Sequence, residues 1–173
     1  MAQFTFYDPI VLDLAGDGFD FRGARDGVDF DYNGDGQTSR GGFIQGDDAL
    51  LFLATPANGG RALDGRDLFG DAGGALHGFA ALAEYDSNGD GVIDENDEIW
   101  ESLRLWQDRN GDGICDEDEI MTLAQAGITS LNLSYANVQR TDVHGNVIAQ
   151  MGAYTRADGT EGQMADAKFI AYA

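Results

Sequence analysis

Two acidic loops constrain this chain more than any other feature: DSNGDGVIDEND, Asp86 to Asp97, and DRNGDGICDEDE, Asp108 to Glu119. A twelve-residue calcium loop takes oxygens from its positions 1, 3, 5, 7, 9 and 12, and needs glycine at 6 for a sharp turn. The first loop offers Asp86, Asn88, Asp90, the Val92 carbonyl, Asp94 and Asp97, with Gly91 at the turn. The second offers Asp108, Asn110, Asp112, the Ile114 carbonyl, Asp116 and Glu119, with Gly113 at the turn. Ile93 and Cys115 fall at the inward apolar position 8. Asp97 is one methylene shorter than the glutamate that usually closes such a loop in bidentate fashion. Only Glu98 to Gln107 separate the loops. That spacing predicts a compact pair sharing one middle helix of about 15 Å.

Two weaker loops lie upstream. DYNGDGQTS supplies Asp31, Asn33, Asp35 and the Gln37 carbonyl, but its position 12 is Gly42, so Asp29, Asp47 or Asp48 would have to complete it. DLAGDG supplies Asp13 and Asp17, with Ala15 where a ligand belongs and Asp20 as a substitute. The expected cofactor is therefore Ca²⁺, at two sites and at one or two more. Charge agrees: 10 Lys+Arg stand against 31 Asp+Glu, a net −21. A compact chain of that charge repels itself, and three or four calcium ions would cancel about six to eight charges. The same charge excludes a simple nucleic-acid binder and docking to an anionic membrane. The longest apolar run, Ala49 to Ala54, is too short for membrane insertion. A single Cys115 excludes an internal disulfide framework. His77 and His144 read as surface or packing residues.

Periodicity predicts helices at Gly78 to Tyr85, Glu98 to Trp106 and Glu117 to Ile128. Short strands separated by Gly–Asp turns run from Ile10 to Phe30, Ala49 to Ala54 reads as a buried strand, and strand-like runs follow Ser130. The expected fold class is α+β: paired EF-hand-like calcium loops with short helices, packed on antiparallel strands from both ends of the chain. Residues 1–8 read as a leader and 9–173 as one domain.

The Asp8–Pro9 bond marks that boundary. Proline forms a tertiary amide without an N–H and holds the preceding residue extended. The Asp8 carboxyl can reach its own carbonyl carbon and close a five-membered anhydride, with the proline nitrogen leaving once protonated.

The blocks DPIVLDLAGDGFDF, FDYNGDG, RDLFGD, GFAALAEYDSNGDGVID, LRLWQDRNGDG and GNVIAQMGAYTRADGTEG, in this order, resemble the self-processing module of RTX proteins of the FrpC type. The resemblance starts at Asp8 and covers nearly the whole chain. It implies that calcium folds the module, that the folded module breaks its own Asp8–Pro9 bond, and that the activated aspartyl end joins a lysine amine. Asp8 would be the reacting residue and Pro9 the leaving amine. The acceptor would be a lysine-bearing protein or Lys168, the only lysine. The alternative is a non-catalytic extracellular module that calcium stabilises. A cytosolic calcium sensor ranks last, for want of a Met-rich helix face. The start MAQFTFYDPIVLDL has neither a basic n-region nor an h-region, so secretion is expected by a signal-peptide-independent route.

Overall fold

Ile10, Val11 and Leu12, and Ala49 to Leu53, run without polar alternation, which in a strand means burial on both faces. The computed structural model, which describes residues 3–172, builds its centre from these two runs. The strands are β1 (Phe4–Tyr7), β2 (Ile10–Asp13), β3 (Phe21–Arg22), β4 (Val28–Phe30), β5 (Ser39–Gly41), β6 (Phe43–Ile44) and β7 (Asp48–Leu53). They continue as β8 (Val92–Asp94), β9 (Leu103–Trp106), β10 (Ile120–Thr122), β11 (Ile128–Thr141), β12 (Val147–Arg156) and β13 (Glu161–Tyr172). Among the described residues the one α-helix is α1 (Gly78–Ala83).

The main sheet curls in the order β10-β9-β7-β2-β13-β12-β11-β8, and every pairing is antiparallel. β1, β4 and β5 join through β13, while β3 and β6 form a separate ribbon. Two cores lie on opposite faces. One gathers Val11, Leu50, Phe52, Trp106, Ala165 and Phe169 under the aromatic residues of 21–44. The other gathers Ile10, Leu12, Leu51, Leu105 and Met164 under Phe69, Phe79 and Leu82.

The expected α+β fold with EF-hand helices is not present: the architecture is mostly β. The helix expected between the calcium loops is a single 3-10 turn (Trp100–Ser102) running into β9. Ile99, Leu103 and Trp106 do have helical spacing, but adjacent Leu105 and Trp106 enter opposite cores. Only a strand sends neighbouring side chains to opposite faces. Residues 117–122 fail as a helix for the same reason, since Ile120 and Met121 pack on different cores. The helix at Gly78 does form, capped by the His77 Nδ1, which accepts from the Ala80 N–H at 3.0 Å.

β1 and β2 are one strand in all but name. Tyr7 pairs with Phe169 and Ile10 with Asp166, in a single register along β13. Asp8 and Pro9 therefore stand opposite Lys168 and Ala167. The break between β1 and β2 falls where proline has no N–H to give the ladder. Of the expected leader 1–8, residues 1–2 lie outside the described residues, and Phe4–Tyr7 pair in the sheet.

Candidate functional site

The metal loops repeat one hydrogen-bond scheme three times. Asp86 accepts from the Asp90 and Gly91 N–H groups at 3.3 and 3.0 Å, Asn88 from Asp90 at 3.3 Å, and Asp90 from Val92 at 3.1 Å. Asp108 accepts from Asp112 and Gly113 at 3.2 and 2.9 Å, Asn110 from Asp112 at 3.3 Å, and Asp112 from Ile114 at 2.9 Å. Asp31 accepts from Gly34, Asp35 and Gly36, Asn33 from Asp35, and Asp35 from Gln37 at 2.9 Å. Each loop thus turns its side-chain oxygens inward around its first aspartate.

The loops differ in how they close. Asp97 accepts from Ser87 and Asp94 at 2.9 and 3.0 Å, and meets Asp86 and Asp90 with one oxygen from each within 4.8 Å. Glu119 meets Asp108 and Asp112 in the same way. Asp94 and Asp116 remain loop residues outside these carboxylate groups: Asp94 accepts from the Asn96 N–H at 3.0 Å, and the Asp116 N–H points to Glu119 at 3.5 Å. Among the described residues, no third carboxylate joins Asp31 and Asp35 in a cluster. The Arg66 side chain packs there instead, against Gly34 and within the field of Asp31.

The third carboxylate cluster is Asp13 with Asp47 and Asp48. Asp13 accepts from Gly16 and Gly18, Asp47 from Ala15 at 2.9 Å, and Asp48 from Asp20 at 2.6 Å. Asp13 and Asp48 pair across β2 and β7, so the sheet itself joins this site. Asp17 is not in the cluster, and Asp47 and Asp48 complete the Asp13 loop rather than the Asp31 loop.

These residues fit a hard divalent cation. The donors are all oxygens. Asp97, Asp108 and Glu119 are buried, as are Asp13 and Asp48, and the Asp48 Oδ1 has no hydrogen-bond partner. Among the described residues, no lysine or arginine forms an ion pair with any carboxylate of the three clusters. Burial pushes Asp48 up to about 8 and Asp108 up to about 6, with neighbouring carboxylates adding to both. A bound cation would oppose both shifts by favouring the ionised carboxylates.

The Asp8–Pro9 bond occupies the other notable place. Asp8 is 4% exposed, and its Oδ1 accepts from the Asp71 N–H at 2.8 Å. On either side of the bond, the Ile10 N–H donates to the Phe69 carbonyl and the Ala167 N–H to the Pro9 carbonyl, both at 3.0 Å. Gly70 packs closely on the Asp8 carbonyl: a Cβ there would overlap the Asp8 oxygen and sit 2.9 Å from the carbonyl carbon. A cavity of ≈ 10 Å³, the room of about one water, borders Asp8, Pro9, Gly70 and Asp71. Tyr7 and Tyr32 stack on its wall, with ring centroids 5.1 Å apart.

Asp166 stands on β13 facing Ile10 and is fully buried. Burial, with the nearby carboxyl of Asp71 and, for Asp8 alone, that of Asp166, holds Asp8 and Asp166 above the ordinary carboxylate range. Sequence reasoning missed Asp166, Gly70 and Asp71. The available signals were an aspartate inside the apolar strand MADAKFIAY, and the RDLFGD block without a metal loop of its own. Cys115 is buried, and burial pushes its thiol up to about 12.

The fold and site define an acidic β-module with carboxylate clusters able to hold metal ions and a sheet carrying a buried Asp–Pro bond. Its family model is the SPM domain, which matches residues 10–170, and the chain belongs to that family. It is 43% identical to the iron-regulated protein FrpA of Neisseria meningitidis serogroup C, across 95% of this chain and 15% of that protein's length. The chain thus spans about a seventh of the curated relative it matches. Among the described residues, no helix is long and apolar enough to cross a membrane.

Proposed function

We propose that this chain is a calcium-folded module that cleaves its own Asp8–Pro9 bond and passes the aspartyl end to a lysine amine. The observation that carries this reading is the burial of the Asp8–Pro9 peptide in the main sheet, with its carboxyl held by Asp71 and its carbonyl under Gly70. A dispensable leader has no reason to be held this way.

When bound, calcium supplies positive charge that closes the Asp86, Asp108 and Asp13 clusters, and through them the fold. The chain's own residues do the rest. An Asp8 carboxylate oxygen attacks the Asp8 carbonyl carbon, the bond to the Pro9 nitrogen breaks, and that nitrogen takes a proton. The products are a cyclic aspartyl anhydride and a new N-terminal proline. Water opens the anhydride to a free Asp8 C-terminus; an amine opens it to an amide and a carboxylate. The small cavity beside Asp8 has room for about one water. Lys168, opposite Asp8 in the register of β13, would be the internal acceptor, and a lysine on another protein the external one.

Calcium sites of the extracellular class, with dissociation constants of ~10⁻⁴–10⁻³ M, would fill only outside the cell. Folding is then coupled to secretion, by a route that needs no signal peptide. The test uses protein purified in chelator and then given millimolar calcium. Transfer to Lys168 leaves the mass unchanged, so N-terminal sequencing and peptide mapping are the readouts. The expected result is a Pro9 N-terminus in the wild type and none in Asp8→Ala. Calcium-induced folding with no Pro9 terminus in the wild type would overturn cleavage and leave the non-catalytic, calcium-stabilised module.

A further inference from the structure

Asp166 is the buried charge that neither the metal loops nor the strand ladder explains. It sits mid-strand in β13, opposite Ile10 of β2 and Gln150 of β12. It is fully buried and neither carboxylate oxygen makes a formed hydrogen bond, although the nearby Gly78 backbone favours its ionised form. A sealed carboxylate without a donor or a counter-ion is costly, so such a group binds a proton or shares one. A partner is at hand. Strand alternation puts the Asp8 side chain on the face of Ile10 and Asp166, one diagonal step along the ladder. Asp8 is within hydrogen-bonding reach of the Asp166 carboxyl. Two carboxylates side by side repel; with one proton between them they satisfy each other.

The surrounding charges fit. Asp71 contributes its N–H to Asp8, and its own carboxyl, though on an exposed residue, also lies at the Asp8 carboxyl and raises it. Lys168, half-buried two residues along β13, favours the ionised form of Asp166 and faces His77 at the start of α1. The elements packed on the pair otherwise present uncharged groups: Gln150 from β12, Ile10 from β2, and the Gly78 backbone.

We infer that Asp8 and Asp166 share one proton, and that Asp166 is the acid that delivers it to the Pro9 nitrogen as the Asp8–Pro9 bond breaks. This rests on the self-cleavage reading. In the reactive form Asp8 is the carboxylate and Asp166 the acid. The Asp8 oxygen bonds to the Asp8 carbonyl carbon, the C–N bond breaks, and the Asp166 proton moves to nitrogen. One negative charge is present before and after, first on Asp8 and then on Asp166. The singly protonated pair is active. The doubly protonated pair lacks a nucleophile and the dianion lacks an acid, so the rate against pH is bell-shaped, with both limbs belonging to the pair.

The experiment follows the Pro9 N-terminus in the full chain with calcium from pH 4 to 9. Asp166→Asn is expected to slow cleavage at pH 7 by about 10²–10⁴-fold and to lose the alkaline limb. Asp166→Glu, which keeps the acid, recovers part of the rate with the limb displaced. A calcium-induced near-ultraviolet circular dichroism signal confirms folding of each variant. Asp166→Asn cleaving within threefold of wild type with an unchanged profile would overturn the inference. A second measurement is independent of cleavage: carbon-13 carboxyl titration in Pro9→Ala. There Asp8 and Asp166 are expected to shift together through two common steps. Independent single-step titrations would overturn the shared proton, whereas a wild type that never yields a Pro9 terminus would overturn the self-cleavage reading instead.

Discussion

Gly70→Ala is the sharpest test of how the Asp8–Pro9 bond is held. The Gly70 backbone is extended, so alanine meets no torsional penalty; the cost is one of space. The added Cβ would overlap the Asp8 carbonyl oxygen and sit 2.9 Å from its carbon, where ordinary contact is about 3.5–4.0 Å. Either Asp8 or the Phe69–Asp71 segment must retreat by roughly 1 Å. That displacement stretches the Asp71-to-Asp8 bond of 2.8 Å and the Ile10-to-Phe69 bond of 3.0 Å. Overpacking costs about 1–3 kcal/mol, and each weakened hydrogen bond adds up to about 1 kcal/mol, so a loss of about 2–4 kcal/mol is expected. Gly73→Ala is the control. It lies three residues on, is exposed, and has nothing within 4 Å of the new Cβ; its effect should stay within about 0.5 kcal/mol. Urea unfolding at saturating calcium reads both variants. In the same samples Pro9 N-terminus formation should fall by about 10²-fold in Gly70→Ala, the scale of a 1 Å misplacement. If the two alanines unfold at the same midpoint, the close packing of Gly70 on Asp8 is refuted.

Asp48→Asn should remove one calcium ion from the folded protein and Asp17→Asn none, counted by native mass spectrometry, because the Asp13 cluster contains Asp48 and not Asp17. Without metal, folded Asp48 and Asp108 keep protons that the unfolded chain gives up, since burial raises them to about 8 and about 6. Their stabilisation is full below about pH 4 and is lost as pH rises through about 6 and then about 8. Any folded fraction seen by near-ultraviolet circular dichroism in chelator should therefore shrink across that window; a flat or rising fraction contradicts the burial argument. Calcium binding should also release protons at pH 7, seen by calorimetry in two buffers of different ionisation enthalpy. Cys115 should resist a thiol reagent in calcium and react when calcium is chelated, because the folded thiol is buried and its pKa is about 12; equal rates would show that the fold does not protect it.

The acidic loops were legible because their hydrogen bonding is local: spacing alone names Asp86, Asp108 and the residues that follow. Closure was less legible wherever it came from far away. Asp48 reaches Asp13 across a strand pair 35 residues distant in sequence, and spacing assigned it to the Asp31 loop instead. β7, β12 and β13 were readable from their apolar runs. The helices expected near Trp106 and Ile120 were not, because helical spacing on one face hid the neighbour that a second core required. Asp166 was invisible for a related reason: its significance lies in which strand runs beside it, and register is a property of the pair.

The single register shared by β1 and β2 bears on what a cut chain would look like. Phe4 to Tyr7 pair with Phe169 to Tyr172 whether or not the next peptide bond is intact. Breaking Asp8–Pro9 would nick the molecule without dividing it, leaving a split protein held by one short strand. The fate of the aspartyl end would then be a contest of residence times. While β1 stays docked, the local concentration of the Lys168 amine far exceeds that of any lysine in solution; once β1 peels away, the end belongs to whichever nucleophile arrives first.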